Sequence, residues 1–228
     1  MITVHHLNQS RSQRIIWLLE ELGLDYQVKQ YSRDAETSLA PESLRQIHPL
    51  GKSPVIDDDG RVVAETGTII EYVINRHGGG RMRPEARSDA EIDYLYWMHF
   101  AEGTMMPPMV MALVLGRLTE AKVPFFAKPV VKKVEAQLRA VMVDRHLPAQ
   151  FKLVENHLVG QNFLAGDSLT GADIMMSFPL EAAVIRTGIG ADHPNIAAYV
   201  KRIHDRPAYR AALAKGGPYD FGPQDSSG

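Results

Sequence analysis

The sequence has 228 residues, of which 25 are lysine or arginine and 27 are aspartate or glutamate, and its formal net charge at pH 7 is −2. This charge balance offers no broad basic surface for nucleic acid. No apolar run approaches the length of a membrane span, and no signal peptide is recognisable. We therefore expect a cytoplasmic protein that acts on small molecules. There is no cysteine, which excludes disulfides, thiolate metal sites and a protein sulfur as nucleophile.

The first 23 residues predict a strand followed by an amphipathic helix. Residues 2–6 alternate in the manner of a half-buried strand, and apolar residues then recur at helical spacing until Gly23 ends the pattern. Ser10 and Gln13 fit a capping box, which would place the Ser10 hydroxyl at the electropositive N-terminus of the helix. Residues 26–31 predict a second strand that lies parallel to the first and completes a βαβ unit.

A proline marks the start of the next apolar strand. Pro54 cannot donate to a ladder of hydrogen bonds, so it belongs at a strand start or edge, and it favours extended geometry at Ser53. The run Asp57-Asp58-Asp59-Gly60 predicts a hairpin turn that joins this strand to residues 61–64. We interpret its carboxylates as a solvated turn, because no second ligand cluster lies at a spacing suited to a metal.

A third polar corner follows the hairpin. Glu65 and Thr66 open a helix, with Thr66 as the expected N-cap, and the free N–H groups of such a turn can bind a carboxylate. Residues 1 to about 77 therefore predict the order β-α-β-α-β-β-α, which is the thioredoxin-like arrangement. In that arrangement, the corners at Ser10, Pro54 and Glu65 converge on one edge of the sheet.

The second half of the chain reads as helical. Residues 78–87 form a glycine-led linker, and a long periodic run over residues 88–118 is interrupted by Pro107 and Pro108. Four methionines gather at that interruption, where they suit either a pocket for varied apolar substrates or ordinary core packing. They are Met105, Met106, Met109 and Met111.

Two further features occur near the end of the sequence. Thr170 and Asp173 predict a capping box at the start of an apolar helix, so we interpret Asp173 as a folding residue. Residues 216–228 are rich in glycine and proline and predict a mobile tail.

The run from Ser10 to Gly23, together with Ser53-Pro54 and Glu65-Thr66, resembles the cytosolic glutathione transferases, in particular bacterial and fungal members that use a serine. The resemblance extends over nearly the whole chain. It implies a thioredoxin-like α/β domain over residues 1–80 and an all-helical domain over residues 88–215 that forms the electrophile pocket. It also implies a homodimer, with glutathione as co-substrate, no other cofactor and no metal.

The resemblance assigns the sulfur of glutathione to the first corner. There the Ser10 hydroxyl would hydrogen-bond the sulfur and favour its thiolate form. Asn8, Arg11 and Ser12 stand beside it, and some relatives that lack a cysteine use asparagine or threonine at this corner. The choice between Ser10, Ser12 and Asn8 therefore stays open at this point.

The remaining matched positions would bind the rest of glutathione. Pro54 would be cis, so that the backbone of Ser53 pairs with the cysteinyl unit, and Lys52 would reach a substrate carboxylate. Glu65 and Thr66 would bind the γ-glutamyl group, the acid contacting its ammonium and the threonine its carboxylate.

Glu102 is the last candidate, because an acidic residue in this helix reaches the glutathione amine of the other subunit in relatives. A plain surface carboxylate is the alternative. The implied reaction is attack of the thiolate on an apolar electrophile such as a halide or activated alkene. Alternatives are reduction of a peroxide or disulfide by the same thiolate, and a binding or interaction protein that keeps the fold without catalysis.

Overall fold

The structure, a computed structural model, describes residues 1–120 and 122–223, apart from the side chain of Thr187. A mixed four-stranded sheet with three helices comes first, and a set of seven helices follows it. The predicted fold class, a thioredoxin-like α/β unit followed by an all-helical unit, is confirmed. No helix among the described residues is both long enough and apolar enough to cross a membrane.

The first unit follows the predicted order of strands and helices. Its elements are β1 (Ile2–Leu7), α1 (Gln13–Leu22), β2 (Tyr26–Tyr31), α2 (Glu42–Arg45), β3 (Val55–Asp58), β4 (Arg61–Ala64) and α3 (Thr66–His77). The strands lie in the order β2-β1-β3-β4, with β1 parallel to β2 and antiparallel to β3. Asp59 and Gly60 form the predicted hairpin turn with φ values of 50° and 90°, the positive values that such a two-residue turn requires.

All regular secondary structure in the described part of the second unit is helical. Its elements are α4 (Asp89–Phe100), a π-helical turn (Ala101–Met105), α5 (Met106–Glu120), a 3₁₀ turn (Phe125–Ala127), α6 (Lys128–Met142), α7 (Leu147–His157), α8 (Gly171–Thr187), a second 3₁₀ turn (Ile189–Ala191), α9 (Pro194–His204) and α10 (Pro207–Gly216). The predicted interruption of the long helix lies in the π-helical turn. Pro107 and Pro108 directly follow it at the start of α5, and their missing N–H groups fall where the helical bonding pattern changes from π to α.

Helix α8 is the buried centre of the protein, and it packs against α1, α3, α4 and α9. The capping box predicted for Thr170 and Asp173 is present at its N-terminus. Gly171 follows the cap at a close approach of α3 and α4. A Cβ there would lie within 2.8 Å of atoms of Ile70, Ile74 and Tyr94, so the backbone can come this near only without a side chain.

The two helix caps predicted in the first unit are wrong by one or two residues. Helix α1 begins at Gln13 after Ser12, and the capping box of Ser10 with Gln13 does not form. The reason is that the Ser10 hydroxyl bonds to Ser12, while the Gln13 amide bonds to the Ser10 carbonyl. At α3, Thr66 is the first helical residue, and Glu65 before it is the N-cap with a φ of 70°.

The described part of the predicted mobile tail packs against the first unit. Gln9 donates to the Asp220 carboxylate at 2.8 Å and accepts from its amide at 2.9 Å. Tyr219 donates to Glu181 on α8 at 3.0 Å, and Phe221 is buried. The described part of the tail therefore packs beside the loop that follows β1. Residues 224–228 lie outside the described residues.

Candidate functional site

A cavity of about 890 Å³ is lined by residues of both units. Its wall contains all six residues that the sequence analysis assigned to glutathione binding, namely Lys52, Ser53, Pro54, Glu65, Thr66 and Glu102. They come from the segment before β3, the start of α3 and the π-helical turn. The fold therefore gathers side chains that are as much as 50 positions apart into one site.

The Ser53–Pro54 corner forms one side of this cavity, and its peptide bond is cis, as the resemblance implied. The Ser53 hydroxyl donates to the His5 carbonyl at 2.9 Å and accepts from the Leu7 amide at 3.3 Å, which ties the corner to β1. Its own backbone N–H and C=O bond to no other backbone group among residues 1–120 and 122–223. This edge is therefore open to an extended ligand that pairs like an added strand.

The N-terminus of α3 forms a second side. The amide of Ile69 makes a helical bond to the Glu65 carbonyl at 2.9 Å, so the N–H groups of the three preceding residues belong to the unpaired first turn. Those residues, Thr66, Gly67 and Thr68, all line the cavity. Such a turn binds anions through its N–H groups and the positive end of the helix dipole.

Glu102 lies on the opposite wall and is held by two arginines of α1 and the loop before it. Arg11 donates to its two oxygens at 2.8 and 3.2 Å, and the buried Arg14 donates at 2.5 Å. Burial acts to raise the pKa of Glu102, but the charges and hydrogen bonds of Arg14 and Arg11 outweigh it and leave that pKa below its ordinary value. A carboxylate accepts about four hydrogen bonds, so one acceptor position remains for a ligand ammonium.

Ser10 lies beside the cavity and is not on its wall, since the side chain is turned inward and the residue is 5% exposed. Its Oγ lies 2.7 Å from the Ser12 Oγ and accepts from the Ser12 amide at 3.2 Å. The Ser12 Oγ in turn lies 2.9 Å from the His6 Nδ1. The three side chains form a buried chain of hydrogen bonds that ends at Ser10.

The other residues considered for the sulfur are less suitable. Ser12 is completely buried, and the side-chain oxygen of Asn8 accepts from the Arg33 amide at 2.9 Å. Ser10 is flanked by Gln9 and Arg11, which both reach the surface of a cavity. Of the three alternatives, Ser10 is the one whose neighbours on both sides line a cavity.

His6 is the member of this site that sequence reasoning missed. Burial lowers its pKa, opposed by a hydrogen bond with the backbone of Gly216, so the imidazole is neutral at pH 7. His5 and His6 are adjacent in β1, so the sequence by itself predicts only that they face opposite sides of the sheet. The available signal was a pair of serines, Ser10 and Ser12, that begins four residues after His6. This spacing indicates a hydrogen-bonded chain only once the geometry of the turn is known.

A second cavity, of about 740 Å³, meets the first at Arg11, which lines both. Met106 and Met109 are on its wall, as the pocket interpretation of the methionines predicts. Met105 belongs to the core and Met111 packs on it, as the alternative predicts. Met109 serves both uses, because it also packs on the core.

Comparison with known proteins gives consistent matches along the chain. Residues 1–75 match the family description "Glutathione S-transferase, N-terminal domain", and residues 109–207 match "Glutathione S-transferase, C-terminal domain". Glutathione S-transferase 3 of Schizosaccharomyces pombe is 34% identical, over 94% of this chain and 88% of the relative. Glutathione S-transferase 1 of Saccharomyces cerevisiae is 32% identical, over 94% of this chain and 95% of the relative. The crystal structure of a glutathione S-transferase from Actinobacillus pleuropneumoniae superposes with a TM-score of 0.78 at 35% identity, covering 97% of this chain and 95% of that one.

Proposed function

The chain belongs to the glutathione transferase family and is an enzyme of that family, and we propose that it conjugates glutathione in the first cavity to electrophiles from the second. The observation that carries this proposal is the meeting of six matched residues around one cavity, beside Ser10. The thiolate attacks an electrophilic carbon and either a halide leaves or the adduct takes a proton. We place this reaction in the cytoplasm.

Each part of the tripeptide has a partner of suitable chemistry in this proposal. The N–H groups at the start of α3 and the Thr66 hydroxyl bind the γ-glutamyl carboxylate, and Glu65 binds its ammonium. Glu102, which lines the cavity of its own chain, offers its free acceptor position to the same ammonium rather than to that of the other subunit. The open backbone edge of Ser53 pairs with the cysteinyl backbone. Lys52, exposed on the same wall, binds the terminal carboxylate.

The sulfur is assigned to Ser10. Its Oγ accepts hydrogen bonds from the Ser12 amide and the Ser12 hydroxyl and donates one to the thiolate, while His6 fixes the Ser12 hydroxyl. A serine hydroxyl has one proton to donate and two acceptor positions, so this arrangement uses its full capacity.

The proposed function is tested by two measurements on the intact chain. We expect retention on immobilised glutathione and conjugation of 1-chloro-2,4-dinitrobenzene with a rate that rises as the bound thiol ionises. Retention without any conjugation, across a set of halide and alkene substrates, would favour a binding protein that keeps the fold.

Thr66→Ala is expected to weaken glutathione binding about tenfold, because the hydroxyl and the ordering of the α3 turn both contribute to binding the carboxylate. The pKa of the bound thiol should stay nearly constant, since the sulfur is held at Ser10. Calorimetric titration with glutathione gives the affinity, and Thr119→Ala, which removes an exposed threonine hydroxyl from α5, is the matched control. A changed thiol pKa with unchanged affinity would show that the two corners are misassigned.

We also propose a homodimer, because large apolar side chains are exposed near the glutathione cavity. Ile92, Leu95 and Tyr96 lie on α4, and Leu50 lies on the first unit. Sedimentation is expected to give twice the chain mass, and Ile92→Glu is expected to give monomers, since a buried charge without a partner costs several kcal/mol. Val130→Glu is the control, because Val130 on α6 is 64% exposed, close to the 66% of Ile92. Monomers of the unchanged chain would contradict the proposal.

A further inference from the structure

The second cavity is rimmed by five arginines, which come from five different parts of the chain: Arg11, Arg33, Arg117, Arg139 and Arg186. Two of them are neutralised by carboxylates. Arg11 pairs with Glu102 at 2.8 Å, and Arg139 pairs with Glu135 at 2.6 Å. The remaining three decide the charge of this cavity.

Arg33, Arg117 and Arg186 have no carboxylate within 4.0 Å among the residues that the structure describes. Arg33 donates to the Ser38 carbonyl at 3.1 Å, and burial lowers its pKa, yet an arginine keeps its charge at neutral pH. The guanidinium of Arg186 lies 4.5 Å from the centre of the Phe221 ring, on the packed part of the tail. The acidic group on this wall is Asp220, which is bonded to Gln9. Positive charge therefore exceeds negative charge around the cavity.

Apart from Gln9, Ser38 and Asp220, the rest of the wall is apolar. Met106, Met109 and Phe151 provide flat or flexible apolar surface below the charged rim. A ligand that satisfies both parts has an apolar body and a negative group at one end. Guanidinium groups bind carboxylate and sulfonate oxygens in pairs, which a single lysine ammonium does not do.

We infer that the electrophile of this enzyme is an amphipathic organic anion, whose carboxylate or sulfonate is bound by Arg33, Arg117 and Arg186. This inference rests on the proposed function, because it takes the second cavity as the electrophile site. The apolar body lies on the methionine wall, and the reactive carbon faces Arg11, where the two cavities meet and next to which Ser10 stands in the chain. The negative group stays at the rim and takes no part in the bond changes of conjugation.

The test compares two aryl chlorides that differ only by the carboxylate, 4-chloro-3,5-dinitrobenzoate and 2-chloro-1,3-dinitrobenzene. Arg117→Gln and Arg186→Gln are each expected to raise KM for the benzoate about tenfold, with less than about twofold change for the neutral compound. Added salt should weaken binding of the benzoate more than binding of the neutral compound, because these arginines are partly exposed to solvent. Arg145→Gln is the matched control, since it removes the same charge from an exposed position outside the cavity wall.

Binding of 3,5-dinitrobenzoate, which has no leaving group, provides a readout that needs no turnover. Calorimetric titration should show tighter binding than for 1,3-dinitrobenzene, and each variant should reduce the difference by weakening the benzoate alone. Equal effects of the variants on both members of each pair, or none on the benzoates, would overturn the inference. Anion binding that depends on these arginines, in a protein that conjugates neither chloride, would instead count against the proposed function.

Discussion

Ser10→Ala is expected to lower kcat/KM for conjugation by about 10- to 150-fold, because a hydrogen bond to a charged group contributes about 1.5–3 kcal/mol. A free thiol has a pKa near ~8.5, and lowering it by about 2 units requires roughly 2.7 kcal/mol. One hydrogen bond supplies most of that free energy. The pKa of bound glutathione should therefore rise toward the free value in the variant, and the absorbance of the bound thiolate against pH measures it directly.

Two further serines separate this role from a structural one. Ser12→Ala removes the link between Ser10 and His6 and is expected to have a smaller effect, because the Ser12 amide still holds the Ser10 oxygen. Ser177→Ala removes a buried hydroxyl of α8 and controls for general loss of packing. An unchanged pH profile in Ser10→Ala would end the assignment. A larger effect in Ser12→Ala than in Ser10→Ala would move it to Ser12.

Much of the fold was predictable from local signals. The βαβ pattern up to residue 31, the Asp-Gly hairpin and the capping box of Thr170 with Asp173 each depend on residues within a few positions of one another. Each of these predictions is confirmed. Periodicity and turn chemistry suffice for such elements because the neighbours that decide them are also neighbours in sequence.

The caps of α1 and α3 show why local patterns can also mislead. At α1, two serines compete for the same role, and the bond from the Ser12 amide to the Ser10 hydroxyl displaces the expected capping box. Nothing in the spacing distinguishes these outcomes. The hydroxyl of Ser12 is drawn away by His6, which belongs to a different element.

The rim of arginines around the second cavity could not be predicted at all. Its members come from α5, α6, α8 and two loops, and each reads by itself as an ordinary surface residue. The packing of the tail beside Gln9 has the same cause, since a partner about 210 positions away leaves no local pattern. Only the assembled fold reveals the charge of the cavity.

Asp173→Ala is expected to destabilise the protein by about 3–5 kcal/mol, because it leaves several buried donors without an acceptor. The fully buried carboxylate accepts from the Leu164 amide at 2.9 Å, the Tyr199 hydroxyl at 2.8 Å, and the amide and hydroxyl of Thr170 at 2.8 and 3.0 Å. Domains of this size have a stability of about 5–15 kcal/mol, so the loss is a large fraction of the total. Urea denaturation followed by circular dichroism measures it.

Asp173→Asn is expected to be nearly as harmful, although it changes the volume very little. One carboxylate oxygen accepts from Leu164 and Tyr199, and the other accepts both bonds from Thr170. An amide can satisfy one of these pairs, but its NH₂ group then faces the other pair of donors. Asp167→Ala, at a nearby exposed acid, is the control and should leave the midpoint of urea denaturation unchanged. If Asp173→Asn unfolds at the same urea concentration as the unchanged chain but has lost conjugation, Asp173 acts in the chemistry and its interpretation as a folding residue is wrong.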